Sequence, residues 1–292
     1  MSESAAVLET VEASPEKRRG LPIGPEKQPE RLTAKGHTRH ATVVRVGDVP
    51  IGGGVPVVIA GPCSVESREQ LLTAAEGVKA AGATLLRGGA YKPRTSPYDF
   101  QGLGLEALLI LREVSERTGL PVVSEVISTE DIEVVSDHVE MLQVGARNMQ
   151  NFPLLRRLGK VRRPVLLKRS PAATVKEWLL AAEYILAGGN DQVVLCERGI
   201  RSYDPELRNT FDIAGMLLAK TMTHLPVIAD PSHATGRRDL VPALSRAALA
   251  AGADGLIVEV HPHPDRALSD GAQSLDIDTF AAMMQELPGL EQ

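Results

Sequence analysis

Cysteine is scarce in this chain, with only Cys63 and Cys196, and no apolar stretch near the N-terminus resembles a leader. Two thiols cannot build a disulfide framework, so the expected compartment is a reducing cytoplasm. No run of eighteen or more apolar residues occurs, which argues against a membrane-spanning helix. Basic residues are outnumbered: 32 Lys and Arg face 37 Asp and Glu, a formal net charge of −5. No basic stripe is left to displace counterions from a nucleic acid. Internal repeats and low-complexity tracts are also missing, apart from a polar N-terminal stretch.

What the chain does have is a series of eight short apolar runs, most of which stop at a charged, Cys- or His-bearing segment. Run 57–60 leads to Cys63, 85–86 to Arg87, 122–123 to Glu125, and 141–144 to Arg147. Run 165–167 ends at Lys168, 193–195 at Glu197 and Arg198, 227–228 at Asp230 and His233, and 256–258 at Glu259. Continuous apolar runs are the mark of fully buried parallel strands. Their spacing leaves room for one crossover helix each time, which predicts an α/β protein folded as a single (β/α)8 TIM barrel. The C-terminal strand ends of that fold share one floor, so the polar stops converge.

Two regions precede the barrel. Residues 1–40 are rich in Glu, Lys, Pro and Ser and read as a mobile or loosely docked extension. Residues 42–52 read as a β-hairpin able to plug the barrel bottom, within a catalytic unit spanning 41–292. Helices are predicted over 67–81 with Ser64 as cap, 104–118, 175–187 and 240–251. Leu105, Leu108, Leu109 and Val114 are expected on one buried face of the second. The connections after the third and fourth barrel strands are the shortest.

Strand adjacency in a closed barrel brings Cys63, His233, Glu259 and Asp270 within reach of one another. A thiolate, an imidazole and two carboxylates suit one divalent first-row ion (Mn, Fe, Co or Zn) better than Mg. His261 and His263 are rival ligands, read instead as solvated loop residues. A second constellation is cationic: Arg87, Lys92, Arg94, Arg147, Lys168 and Arg198 all fall at or after strand ends. Some are expected to pair with Glu125, Glu197 or Asp230, but those acids are too few. Anionic substrates are implied, with two anionic groups bound side by side, one of them a carboxylate-bearing phosphoester. The loop from Lys92 to Tyr98, stiffened by two prolines, offers Arg94, Thr95 and Ser96 to a phosphate.

These motifs carry a resemblance. The run 60–64 (Ala-Gly-Pro-Cys-Ser), the loop from Lys92 to Tyr98, the run 143–147 ending in Arg147, and the Asp-Pro-Ser-His run from Asp230 to His233 are similar to 3-deoxy-D-arabino-heptulosonate 7-phosphate (DAHP) synthases of the type I beta class. The likeness spans about residues 42–285. It implies a metal-dependent transferase condensing phosphoenolpyruvate with D-erythrose 4-phosphate and releasing phosphate, the first step of the shikimate pathway to aromatic amino acids.

Carried over by position, Cys63, His233, Glu259 and Asp270 become the metal ligands. Arg87, Lys92, Arg147, Lys168 and Arg198 become the phosphoenolpyruvate contacts, and Arg94, Thr95 and Ser96 the holders of the aldose phosphate. Asp230 becomes an acid near the aldehyde, and either Glu125 or Lys168 orients the water. The resemblance further implies a homo-oligomer, tetramer or dimer. The stretch before the hairpin is too short for the regulatory domains many relatives carry, so a separate chorismate mutase is the candidate regulatory partner. Three rival readings remain: a 3-deoxy-D-manno-octulosonate 8-phosphate synthase using arabinose 5-phosphate, a Schiff-base aldolase with Lys168 as nucleophile, and a non-catalytic barrel.

Overall fold

The computed structural model describes residues 31–94 and 96–290. The chain divides into two units, Met1–Arg31 and Leu32–Gln292, and the description below concerns the second. Most of the expected extension over residues 1–40 therefore lies outside the described residues. Its last part is tied to the barrel unit: the Leu32 and Thr33 N–H groups donate to the Glu183 carboxylate at 2.7 and 3.0 Å, and Ala34 pairs with Thr223.

Strands β1 (Val44–Val46) and β2 (Val49–Ile51) form the expected antiparallel hairpin. Eight parallel strands follow: β3 (Val57–Gly61), β4 (Leu85–Arg87), β5 (Val122–Glu125), β6 (Met141–Val144), β7 (Val165–Lys168), β8 (Val193–Glu197), β9 (Val227–Ala229) and β10 (Gly255–Glu259). They close in sequence order, with β10 pairing β3 from Gly255↔Val57 to Glu259↔Gly61. The predicted (β/α)8 barrel is the observed fold.

Each barrel strand alternates its side chains between two cores, as the two-residue period of a strand requires. Val58, Leu86, Val122, Leu142, Val165 and Leu195 face outward into the layer shared with the helices. Ile59, Leu85, Val123, Met141, Leu166, Val194, Ile228 and Ile257 face inward and pack on Val44, Val46 and Ile51 of the hairpin. The hairpin is thus the plug at the N-terminal mouth. The same period then dictates the floor of the opposite mouth. Two residues beyond the inward apolar layer stand Arg87, Glu125, Gln143, Lys168, Asp230 and Glu259.

The main helices are α1 (Arg68–Ala80), α2 (Leu105–Thr118), α3 (Ile132–Ser136), α4 (Phe152–Leu158), α5 (Val175–Leu186), α6 (Ile213–Met222), α7 (Pro231–Thr235), α8 (Val241–Ala250) and α9 (Ile277–Glu286). After the third and fourth barrel strands come the short α3 and α4, as expected. Two details differ from the sequence reading. The cap of α1 is Ser67, whose hydroxyl accepts the Gln70 N–H, whereas Ser64 lies in the preceding loop and bonds Ser269. In α2 the buried face is Ala107, Leu108, Leu111 and Val114, while Leu105 and Leu109 are about half exposed. Those two leucines, four apart, sit on the outer flank of the apolar stripe. No helix among the described residues is long and apolar enough to cross a membrane.

Candidate active site

A cavity of about 250 Å³ opens at the C-terminal mouth, lined by Arg87, Lys92, Arg94, Glu125, Arg147, Lys168, Arg198, His233 and Asp270 among the sequence-predicted residues. Asp230, Cys63 and Glu259 are buried close behind this lining. Ser96 lies on the rim loop, where its hydroxyl accepts the Tyr98 N–H at 3.2 Å, and it does not line the cavity. Thr95 is outside the described residues.

The cations divide into paired and unpaired groups. Arg87 is buried and ion-paired with Glu259; burial works against its charge, but Glu259 outweighs it and the guanidinium is held more strongly basic than usual. Lys168 Nζ lies 2.5 Å from Asp230 Oδ2. Glu197 does not neutralise a cavity cation. It is taken by Arg169 at 2.9 Å and by the Gly199 N–H. Glu125 accepts from Gln143 at 3.2 Å. Among the described residues no carboxylate lies within 4 Å of Lys92, Arg147 or Arg198. Arg198 is buried, its Nε has no hydrogen-bond partner, and burial pulls its guanidinium below its ordinary basicity. Lys92 and Arg198 are buried while Arg147 is exposed, and two buried cations without a carboxylate partner are costly unless an anion enters.

The candidate metal ligands stand beside Arg87, whose guanidinium reaches both Glu259 and the Cys63 carbonyl. Cys63 Sγ is 3.2 Å from Asp270 Oδ2, and one donor atom each from Cys63, Glu259 and Asp270 fall within 4.8 Å of one another. His233 is not in that trio, but its Nε2 stands 3.3 Å from Glu259 Oε1. Its Nδ1 is 2.8 Å from Asp230 Oδ2, yet out of line for a hydrogen bond. Burial lowers the His233 pKa, which favours the neutral imidazole that a metal requires. Burial also pushes the Cys63 thiol up to about 12, with Glu259 adding to the rise. A cation among these groups reverses that tendency and makes the thiolate the stable form. The Glu259 carboxyl is held well below its usual range, because His233, Arg87 and Lys92 overcome the burial that opposes it. A soft thiolate, an imidazole and two carboxylates at this spacing fit a divalent first-row ion.

The floor depends on one close approach. A Cβ on Gly145 would fall 2.0 Å from Glu125 Oε1, so glycine is needed there for the carboxylate to reach the cavity. His261 corrects the sequence reading: it is buried rather than solvated, whereas His263 is exposed as expected. Arg208 and Gln273 were not anticipated. Arg208 lines the cavity and donates to Gln273 Oε1 at 2.8 Å, and Gln273 Nε2 donates to Glu259 Oε2 at 2.6 Å. Both lie in long loops, ten or more residues past a strand end, where no apolar run marks them.

The sequence profile of the DAHP synthetase I family matches residues 26–291. The chain belongs to that family. It is 50% identical over 263 residues to the phospho-2-dehydro-3-deoxyheptonate aldolase of Thermotoga maritima, covering 90% of this chain and 78% of that protein. The crystal structure of a Thermotoga maritima aldolase of that name, also titled DAHP synthase, aligns with a TM-score of 0.86 at 50% identity. It covers 89% of this chain and 76% of the other. A truncated Thermotoga maritima 3-deoxy-D-arabino-heptulosonate 7-phosphate synthase gives 0.82 at 47% identity, over 87% and 94%. A 2-dehydro-3-deoxyphosphooctonate aldolase of Syntrophotalea carbinolica is more distant, 33% identical over 85% of this chain and 95% of that protein. The family is one of enzymes and is generally metal-dependent.

Proposed function

We propose that this enzyme condenses phosphoenolpyruvate with D-erythrose 4-phosphate and water to give 3-deoxy-D-arabino-heptulosonate 7-phosphate and inorganic phosphate, opening the shikimate pathway. The observation that carries the reading is Arg198. A buried guanidinium with an unpartnered Nε, beside Lys92 and Arg147 and without a carboxylate within 4 Å of any of the three, needs a multiply charged anion.

Lys92, Arg147 and Arg198 hold the phosphate and carboxylate of phosphoenolpyruvate, with Arg87 and Lys168 as paired cations behind them. Arg94 receives the phosphate of the aldose, on the loop that also carries Thr95 and Ser96. Asp230 fixes Lys168 and accepts the His233 N–H at 2.9 Å. With Lys168 committed to Asp230, the cavity-facing Glu125 is left to orient the water. C3 of phosphoenolpyruvate bonds to the aldehyde carbon, water adds at C2, and phosphate leaves by cleavage of its C–O bond. Charge compensation and alignment supply much of the rate. Cys63, His233, Glu259 and Asp270 would hold the divalent ion (Mn, Fe, Co or Zn), which supplies Lewis acidity toward the aldehyde oxygen.

The 50% identity to a heptonate aldolase against 33% to an octonate aldolase supports the four-carbon aldose over arabinose 5-phosphate. The Lys168–Asp230 ion pair weighs against Lys168 as a Schiff-base nucleophile. A homo-oligomer is supported by Leu217, Leu218 and Met222, exposed together on α6. Two unpaired thiols support a cytoplasmic setting. The deciding experiment measures phosphate release from phosphoenolpyruvate with each aldose phosphate across a metal series. Turnover must need both a metal and erythrose 4-phosphate; turnover in chelator, or with arabinose 5-phosphate alone, defeats the reading.

A further inference from the structure

The loop after β3 carries Cys63, and the loop after β10 carries Asp270. The two are bonded to each other at points that flank these residues. Ser64, next to Cys63, shares a 2.6 Å hydroxyl hydrogen bond with Ser269, next to Asp270, and both serines are buried. Two residues further along, the Glu66 carboxylate grips the same partner loop twice. Its Oε1 accepts the Leu268 N–H at 2.8 Å, and its Oε2 faces His261 Nε2 at 3.3 Å. The tautomer follows from the neighbouring bond: His261 Nδ1 accepts the His263 N–H at 2.9 Å, so Nε2 carries the proton toward Glu66. His261 itself lies two residues after Glu259.

These bonds hold a thiol and two carboxylates within 4.8 Å of one another. Arg87 on Glu259 and Arg208, 3.6 Å from Asp270, offset the carboxylate charges from outside the trio. Asp270 moreover holds a left-handed backbone, φ 48° and ψ 29°, the one positive φ at a non-glycine among the described residues. Such a conformation persists where surrounding contacts over-determine it. Bonds at Leu268 and Ser269, immediately before Asp270, do so.

We propose that Glu66 and the Ser64–Ser269 pair are positioning residues of the metal centre, clasping the two loops so that Cys63, Glu259 and Asp270 are preset for a divalent ion. The inference rests on the metal reading given above. It assigns these residues no contact with substrate or ion; they act through the ligands. Removing such supporting hydrogen bonds costs about 10- to 100-fold in metal affinity.

The test titrates Co²⁺ into metal-free protein and follows the near-ultraviolet absorption of thiolate-to-cobalt charge transfer, for the wild type, Glu66→Gln and Ser269→Ala. Phosphoenolpyruvate affinity of the same metal-free proteins is measured by calorimetry. In Glu66→Gln the amide can still accept from Leu268 but presents a donor to the His261 N–H. The expected result is a Co²⁺ dissociation constant about 10- to 100-fold higher in each variant, with phosphoenolpyruvate affinity unchanged. Wild-type Co²⁺ affinity in the variants overturns the clasp, as does an equal loss of phosphoenolpyruvate binding, which would mark general loop damage. Should Glu66→Gln not fold, Ser269→Ala decides alone. A wild-type protein without the charge-transfer band would instead bring down the metal reading itself.

Discussion

Asp230 and Lys168 meet across the barrel floor at 2.5 Å, from the ends of β9 and β7 on either side of β8, with both side chains buried. The same carboxylate caps α7 through the His233 N–H, so one acid positions a cavity lysine and a metal-ligand candidate together. Burial acts to raise the Asp230 pKa, but His233 and Lys168 hold the group well below its usual range. Asp230→Asn keeps an oxygen for the cap and removes the charge. Lys168 is then a buried cation without its counterion, a loss of about 3–5 kcal/mol. Denaturant melts should show a lowered midpoint at unchanged slope. An Asp230→Asn protein as stable as the parent would show that Lys168 does not depend on this partner.

The two thiols should be silent in the native protein. Both are buried, and burial raises both, Cys63 to about 12 and Cys196 higher still, against the Lys168 charge that draws Cys196 down. A raised thiol pKa keeps the neutral form across the neutral range, and the thiolate is the reactive species. Ellman's reagent at pH 8 in chelator should therefore report fewer than one thiol per chain, and two after guanidinium denaturation. Prompt native labelling of either cysteine would contradict the burial.

How much of this was legible in the sequence follows from the barrel's geometry. Arg87, Glu125, Lys168, Asp230 and Glu259 each follow an inward apolar residue by two positions, so a pattern of apolar runs with polar stops already placed them on one floor. Loops obey no such period. Arg208 reaches the cavity from a stretch with no apolar rhythm, and Gln273 reaches Glu259 from another. Ser64 and Ser67 are both plausible helix caps by type; the Gln70 N–H bond to Ser67 and the bond from Ser64 to Ser269, over two hundred residues away, separate their roles. The Pro-rich sequence around His261 predicts a solvated side chain. Glu66, whose carboxylate faces its Nε2 at 3.3 Å, is remote in sequence.

Gly145 provides a steric test of Glu125. In Gly145→Ala the new Cβ would overlap Glu125 Oε1 and force the carboxylate off its place beside Gln143. Overpacking of this kind costs about 1–3 kcal/mol, which the fold can bear. Circular dichroism should stay native while kcat falls at least about 100-fold, the low end of what a misplaced proton-handling group costs. Retained kcat with a folded protein would remove Glu125 from the reaction.

Arg198 separates the substrates. Arg198→Ala removes a charge-assisted donor from the proposed phosphoenolpyruvate site, worth about 1.5–3 kcal/mol. That predicts a roughly 10- to 100-fold loss in kcat/KM for phosphoenolpyruvate. Since the wild-type guanidinium is buried with an unpartnered Nε, the variant should not be less stable without ligand. A large drop in melting temperature without substrate would mean that the arginine serves the fold instead.

Arg94 tests the other half of the cavity. It stands on the rim loop, 3.2 Å from Asp99, and only about a fifth of its side chain is exposed. Asp99 also lines the cavity, so the guanidinium is aimed at the mouth by an acid on its own loop, without a partner from the floor. An incoming aldose phosphate would compete with Asp99 for that guanidinium. With Asp99 open to solvent at the rim, the pair contributes little of its own, so the exchange favours a doubly charged phosphate. Arg94→Ala should raise the KM for erythrose 4-phosphate about 10- to 100-fold, the cost of a lost charge-assisted contact, and leave the KM for phosphoenolpyruvate unchanged. Asp99→Asn should act the other way or not at all on the aldose KM, because it removes the competitor. If Arg94→Ala raised both KM values together, the rim loop would be supporting the whole cavity, and the assignment of Arg94 to the aldose phosphate would fall.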